Sequence, residues 1–117
     1  MTFAWRSAMA IVAVSALPAT APDATQVAAA RGRDLAKSAG CAGCHTIPGL
    51  SRGANVGPPL TTIGQRVYIA GLLPNTPANM ARWLTETQKI RPGDAMPSTA
   101  LEPEQAADIA AFLATLR

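Results

Sequence analysis

Cys41-Ala42-Gly43-Cys44-His45 is the tightest constraint on what this 117-residue chain can become. Two thiols three positions apart, followed at once by an imidazole, confine three reactive side chains to about one helical turn. At that spacing the thiols can reach the two vinyl groups of a haem as thioethers. The next residue then projects its imidazole at the iron as proximal ligand. Other readings meet obstacles. A disulfide between such close neighbours is strained and closes almost no loop. A thioredoxin-like pair wants a preceding strand in a βαβ frame, and no such pattern is visible. Zinc needs about four ligands, whereas the chain offers two Cys and one His. Covalent haem, held by Cys41 and Cys44 and ligated by His45, is the reading that fits.

The rest of the chain suits a small domain built around such a group. The longest uncharged stretch, residues 7–22, lies near the amino terminus. Arg6 supplies a positive charge before it, residues 7–17 form a short apolar run, and small residues follow. This reads as a signal peptide over residues 1–21, cleaved near 16–21, with an uncleaved anchor helix as the alternative. Cleavage is favoured because the run is shorter than the roughly 20 residues of a membrane span and ends at Pro18. Residues 22–30 read as an Ala-rich linker, and 31–117 as the folded domain, with no membrane span after cleavage. From Pro22 onward nine basic residues face seven acidic ones, 9 − 7 = +2, too weak and scattered a surplus for nucleic acid. Of five aromatic residues, Phe3 and Trp5 lie in the leader, leaving Tyr68, Trp83 and Phe112 for the core. A domain of this size buries a modest share of its surface, and a large apolar cofactor would make up the deficit.

Three helical stretches are expected, with no period-two strand pattern and no repeat. The first spans about residues 27–39, where Ala28, Gly32, Leu35, Ala36 and Ala39 share one face and Gly40 stops the helix. Residues 46–74 are loop-dominated, and a loop that long in a compact domain implies something to wrap. Thr76 as cap and Pro77 at the first helical position start a second helix, running to about residue 87. A loop over residues 89–100 leads to a third helix over 103–116, with Ile109, Phe112, Leu113 and Leu116 on one face. The first and last helices are expected to pack together.

His45 is the sole histidine, so a second imidazole from the same chain is excluded as sixth ligand. Met1 and Met9 belong to the leader, leaving Met80 and Met96. Met80 falls inside a helical pattern and fits a core position. Met96 sits in a loop before Pro97, which fixes the backbone beyond it, and is the favoured ligand. Two axial ligands, His45 and Met96, would leave no position for oxygen or peroxide, and a thioether raises the reduction potential relative to a second imidazole.

These residues resemble class I cytochromes c, and most nearly the cytochrome c domain of caa3-type oxidase subunit II. The resemblance rests on residues 40–46, Val56-Gly57-Pro58-Pro59-Leu60, Leu73-Pro74-Asn75-Thr76-Pro77, Ala81-Arg82-Trp83-Leu84, and Ile90-Arg91-Pro92-Gly93-Asp94-Ala95-Met96-Pro97. It implies an all-α cytochrome c fold, three to four helices around one covalent haem c. It also implies that the Pro58 carbonyl accepts from the proximal histidine, and that Arg66 and Trp83 contact haem propionates. Ala36 departs from the pattern, standing where many relatives carry an aromatic on the first helix, and Phe112 is placed to fill the space. No upstream segment resembles a copper-binding oxidase subunit.

The expected function is that of a monomeric, periplasmic one-electron carrier rather than an enzyme, serving a terminal oxidase or dehydrogenase. Docking would be steered by basic residues such as Arg33, Lys37, Arg66 or Lys89. A haem subunit permanently bound to an oxidase or dehydrogenase complex is the alternative. A sensor or peroxidase with an open sixth site is a third.

Overall fold

The computed structural model describes residues 1–4 and 7–117. Trp5 and Arg6, the latter read as the leader's positive charge, lie outside the described residues. The described part of residues 1–22 is exposed and forms neither helix nor strand.

Among the described residues, regular secondary structure begins beside Asp23. Its carboxylate accepts from the Gln26 N–H at 2.8 Å, and the Gln26 side chain accepts from the Asp23 N–H at 3.0 Å. This reciprocal capping box satisfies two orphan donors of a helix start, and α1 runs from it over Ala24–Ser38. The helix thus begins three residues before position 27, and most of the stretch read as linker is its first turns. It ends as expected at Gly40, which takes φ 80°.

Helix α2, Pro77–Ile90, starts where Thr76 and Pro77 predicted, the Thr76 hydroxyl accepting from the Asn79 N–H at 3.1 Å. It extends beyond residue 87, but through a kink at Glu86, whose φ −120° and ψ 26° leave the helical region. The adjoining Thr87 is fully buried and its hydroxyl bonds back to the Trp83 carbonyl. Such back-bonding bends helices. Helix α3, Pro103–Ala114, opens on a second capping box, between Glu102 and Gln105.

Helices α1 and α3 pack together, as their apolar stripes predicted. Ala36 and Ile109 are each 1 % exposed. A Cβ on Gly32 would overlap the Asp108 main-chain carbonyl, so the two backbones touch at this crossing. The absent aromatic at Ala36 is explained here. Small residues one turn apart, Gly32 and Ala36, replace side-chain insertion by close backbone approach. Beside the crossing, Arg31 bonds Asp108 through two nitrogens at 3.0 and 3.2 Å, and this bond raises the guanidinium pKa above its ordinary value.

The connection between α1 and α2 is not wholly irregular. Tyr68–Ile69 (β1) pairs antiparallel with Leu73–Pro74 (β2), a ladder too short to leave an alternating pattern in sequence. Ala70 and Gly71 turn the chain with φ 51° and 71°. An adjoining turn of 3-10 helix, Ile63–Gln65, docks on the end of α3, the Gly64 N–H donating to the Leu116 carbonyl at 2.8 Å. Among the described residues no helix is long and apolar enough to cross a membrane.

Candidate functional site

The helices, the 46–74 loop and the loop after α2 line a partly open cavity of about 360 Å³ that is predominantly apolar. Cys41, Cys44, His45, Pro58, Arg66, Trp83 and Met96, the residues singled out from the sequence, all line it. Met80 lines it too, buried on α2 as part of the core, whereas Met96 is half-buried on the loop beyond α2.

The Cys-x-x-Cys-His segment enters this cavity because α1 ends abruptly. After Gly40, Cys41–Gly43 form a turn of 3-10 helix, and the His45 N–H returns to the Cys41 carbonyl at 3.0 Å. Cys44 is exposed while Cys41 is half-buried. Burial pushes the Cys41 thiol pKa up, and the neighbouring Cys44 adds to the shift. The two sulfurs are not joined to each other.

His45 is held from several sides. Its Nδ1 lies 2.6 Å from the Pro58 carbonyl oxygen. A carbonyl can only accept, so Nδ1 carries a proton, and the position left to bind a metal is Nε2. Gly57 lies against the ring, where a Cβ would overlap Cε1, Nδ1 and Nε2. Its N–H donates to the Cys44 carbonyl at 2.8 Å. The His45 main chain is tied by Ser51, which donates to the His45 carbonyl at 2.6 Å and accepts from the Ile47 N–H at 3.1 Å. The imidazole is therefore oriented by the protein groups around it.

Trp83, 7 % exposed, forms part of the cavity wall. Arg66 is exposed at the cavity and donates to the Pro59 carbonyl at 3.2 Å. Its backbone is fixed by Asn75, whose amide donates to the carbonyls of Ile63 and Arg66 at 3.0 and 2.8 Å. Arg91, also at the cavity, donates to the Ala70 carbonyl at 3.2 Å and lies 3.8 Å from the Asp94 carboxylate.

Reasoning from sequence passed over three positions that shape this site. Gly57 was noticed only as part of a segment; its role needs the approach of the His45 ring. Asn75, too, was noticed only as part of a segment, Leu73-Pro74-Asn75-Thr76-Pro77. Gln88 had no signal at all, being a polar residue near a helix end.

The residues fit a covalent haem. The donor set is two thiols and an oriented imidazole on one turn, and the cavity is apolar with a guanidinium beside it. Such a wall suits a flat apolar macrocycle with anionic edge groups.

Comparison with known proteins agrees. The family model for cytochrome c matches residues 29–117. The chain is 33% identical over 104 residues to cytochrome c oxidase subunit 2 of Alkalihalophilus pseudofirmus, spanning 89% of this chain and 29% of that protein. It is 34% identical over 74 residues to cytochrome c oxidase subunit 2 of Bacillus subtilis, spanning 61% and 21%. The third, cytochrome c oxidase subunit 2 of Bacillus sp. (strain PS3), is 30% identical over 82 residues, spanning 66% and 23%. The chain thus spans less than a third of the length of each relative.

Proposed function

Since this chain belongs to the cytochrome c family, whose cofactor is covalent haem c, we propose that it is an exported one-electron carrier with His45 and Met96 as axial ligands. Its three helices fit the family's fold. Cys41 and Cys44 form the thioethers, and Trp83 and Arg66 hold propionates. Bound haem supplies an iron that cycles between the ferric and ferrous states.

The observation that carries the reading is the His45–Pro58 bond. It fixes the tautomer that leaves Nε2 free to ligate, and it raises the basicity of the ring. Met96 lines the same cavity as His45, and a thioether in the sixth position stabilises ferrous iron. With His45 and Met96 both bound to it, the iron would exchange electrons and would offer no place for a substrate. The segment 1–21 gives the route of export, and residues such as Arg33, Lys37, Arg66 and Lys89 give transient, salt-sensitive docking.

Substitution tests the ligand. Met96→Ala should turn the haem high-spin, abolish the weak sulfur-to-iron band at the red edge of the spectrum and lower the potential. Met80→Ala should chiefly lower stability. Loss of the band in Met80→Ala alone would overturn the assignment.

The similarity to oxidase subunits favours one alternative: a haem subunit held permanently in an oxidase complex. A carrier elutes as a monomer and loses partner affinity as salt rises, whereas a subunit co-purifies with its complex at high salt.

A further inference from the structure

We propose that Gln88 is the positioning residue of the Met96 loop, aimed at it by the kink in α2. The inference rests on Met96 being the sixth ligand and says what holds that ligand in place.

One amide spans the loop. Nε2 of Gln88 donates to the Asp94 carbonyl at 2.7 Å and to the Met96 carbonyl at 2.8 Å, and Oε1 accepts from the Gly93 N–H at 3.0 Å. Two carbonyls on one side and an N–H on the other also fix the orientation of the amide, because the flipped form would set oxygen against oxygen. The N–H of Met96 donates to the Asp94 carboxylate at 2.8 Å. Both main-chain polar groups of Met96 are thereby tied, leaving the side chain as the part free to reach the cavity.

The kink makes this geometry available. In a straight helix the Gln88 N–H would return to the Leu84 carbonyl. Here it donates instead to the Ser98 hydroxyl at 2.9 Å. The Leu84 carbonyl accepts from the Thr99 N–H at 3.0 Å and from its hydroxyl at 2.8 Å. The loop after Met96 is thus inserted where the helical ladder opens at Glu86, and Gln88 closes over the segment before it. A helix residue joined at both ends of the loop transmits the rigidity of α2 to Met96. No other residue type at 88 supplies both functions: Glu lacks the donors, and Asn is one methylene shorter.

The haem-loaded protein tests this through two readouts. The first is the temperature at which the sulfur-to-iron band disappears, compared with that at which helical circular dichroism is lost. The second is the affinity of the ferric protein for added imidazole, which must displace the thioether. Gln88→Leu removes all three bonds, and the milder Gln88→Glu keeps the acceptor but not the donors. Each should lose the band well below the helical transition and bind imidazole about tenfold more tightly, since the closed state is less populated. Phe112→Leu, in the core but outside the cavity wall, should lower both transitions together and leave imidazole affinity unchanged. If Gln88→Leu fails to fold, Gln88→Glu decides. Unchanged band loss and imidazole affinity in the Gln88 variant, with the band still abolished by Met96→Ala, would overturn the role of Gln88 alone. A band that survives Met96→Ala would overturn the ligand assignment beneath it.

Discussion

Gly57 lies so close to the His45 imidazole that a Cβ would overlap three ring atoms, while the next residue, Pro58, accepts the ring's Nδ1 proton at 2.6 Å. One dipeptide therefore sets both the tilt and the tautomer of the ring. Gly57→Ala should push the ring away and stretch the Nδ1–H bond, costing about 1–3 kcal/mol as an overpacked contact does. A weaker acceptor makes the imidazole a poorer donor to ferric iron, so the midpoint potential should rise. Redox titration of the haem-loaded variant checks it. An unchanged midpoint in a folded Gly57→Ala would show that the contact does not govern the ring.

Gly32 sets the distance between α1 and α3. Gly to Ala within a helix ordinarily gains about 1 kcal/mol in propensity. At Gly32 the new Cβ meets the Asp108 main-chain carbonyl rather than a flexible side chain, and separating the helices costs about 1–3 kcal/mol. Overpacking should win. Gly32→Ala should melt several degrees lower, since about 1 kcal/mol moves the midpoint of a domain this size by about 4–8 °C. A variant more stable than the parent would mean that the crossing has slack.

What was legible in the sequence was local or chemically singular. Cys41, Cys44 and His45 declare themselves because few chemistries use that spacing. Thr76-Pro77 marks a helix start because cap and ring constraints act within one turn. The start of α1 was also written locally, in Asp23 and Gln26, yet Ala-rich composition made the segment look like linker. What stayed hidden depends on partners distant in sequence. Gln88 acquires its role from Gly93, Asp94 and Met96, and the kink beside it needs Ser98 and Thr99 to satisfy the opened ladder. Two-residue strands are too short for any periodicity to register.

Ala70 is the one non-glycine with positive φ among the described residues, at 51°. It precedes Gly71 at 71°, and the Leu72 N–H returns to the Ile69 carbonyl at 2.9 Å, which is the twist that short antiparallel connections favour. A left-handed conformation costs an L-residue about 1–2 kcal/mol, whereas glycine loses about 0.4–1 kcal/mol through its freer unfolded chain. The difference favours glycine. Ala70→Gly should stabilise the haem-loaded protein by about 0.5–1 kcal/mol in denaturant titration, without altering its spectrum. A destabilised variant would show that the Ala70 methyl contributes packing worth more than the strain.

Thr87 is expected to set the bend in α2. Its side chain is fully buried, and its hydroxyl holds the Trp83 carbonyl one turn before the kink residue's neighbours. Thr87→Val keeps the shape but removes the bond, which costs about 1 kcal/mol when a buried acceptor loses its partner. It also removes the competitor that draws that carbonyl out of line. The helix should straighten, the Gln88 N–H should return toward Leu84, and the hydroxyls of Ser98 and Thr99 should lose their places. Thr87→Ser keeps the hydroxyl and should keep the bend. Amide hydrogen exchange discriminates the two. Residues 96–99 should exchange faster in Thr87→Val than in Thr87→Ser at matched global stability. Equal protection in both variants would mean that the loop, rather than the threonine, imposes the kink.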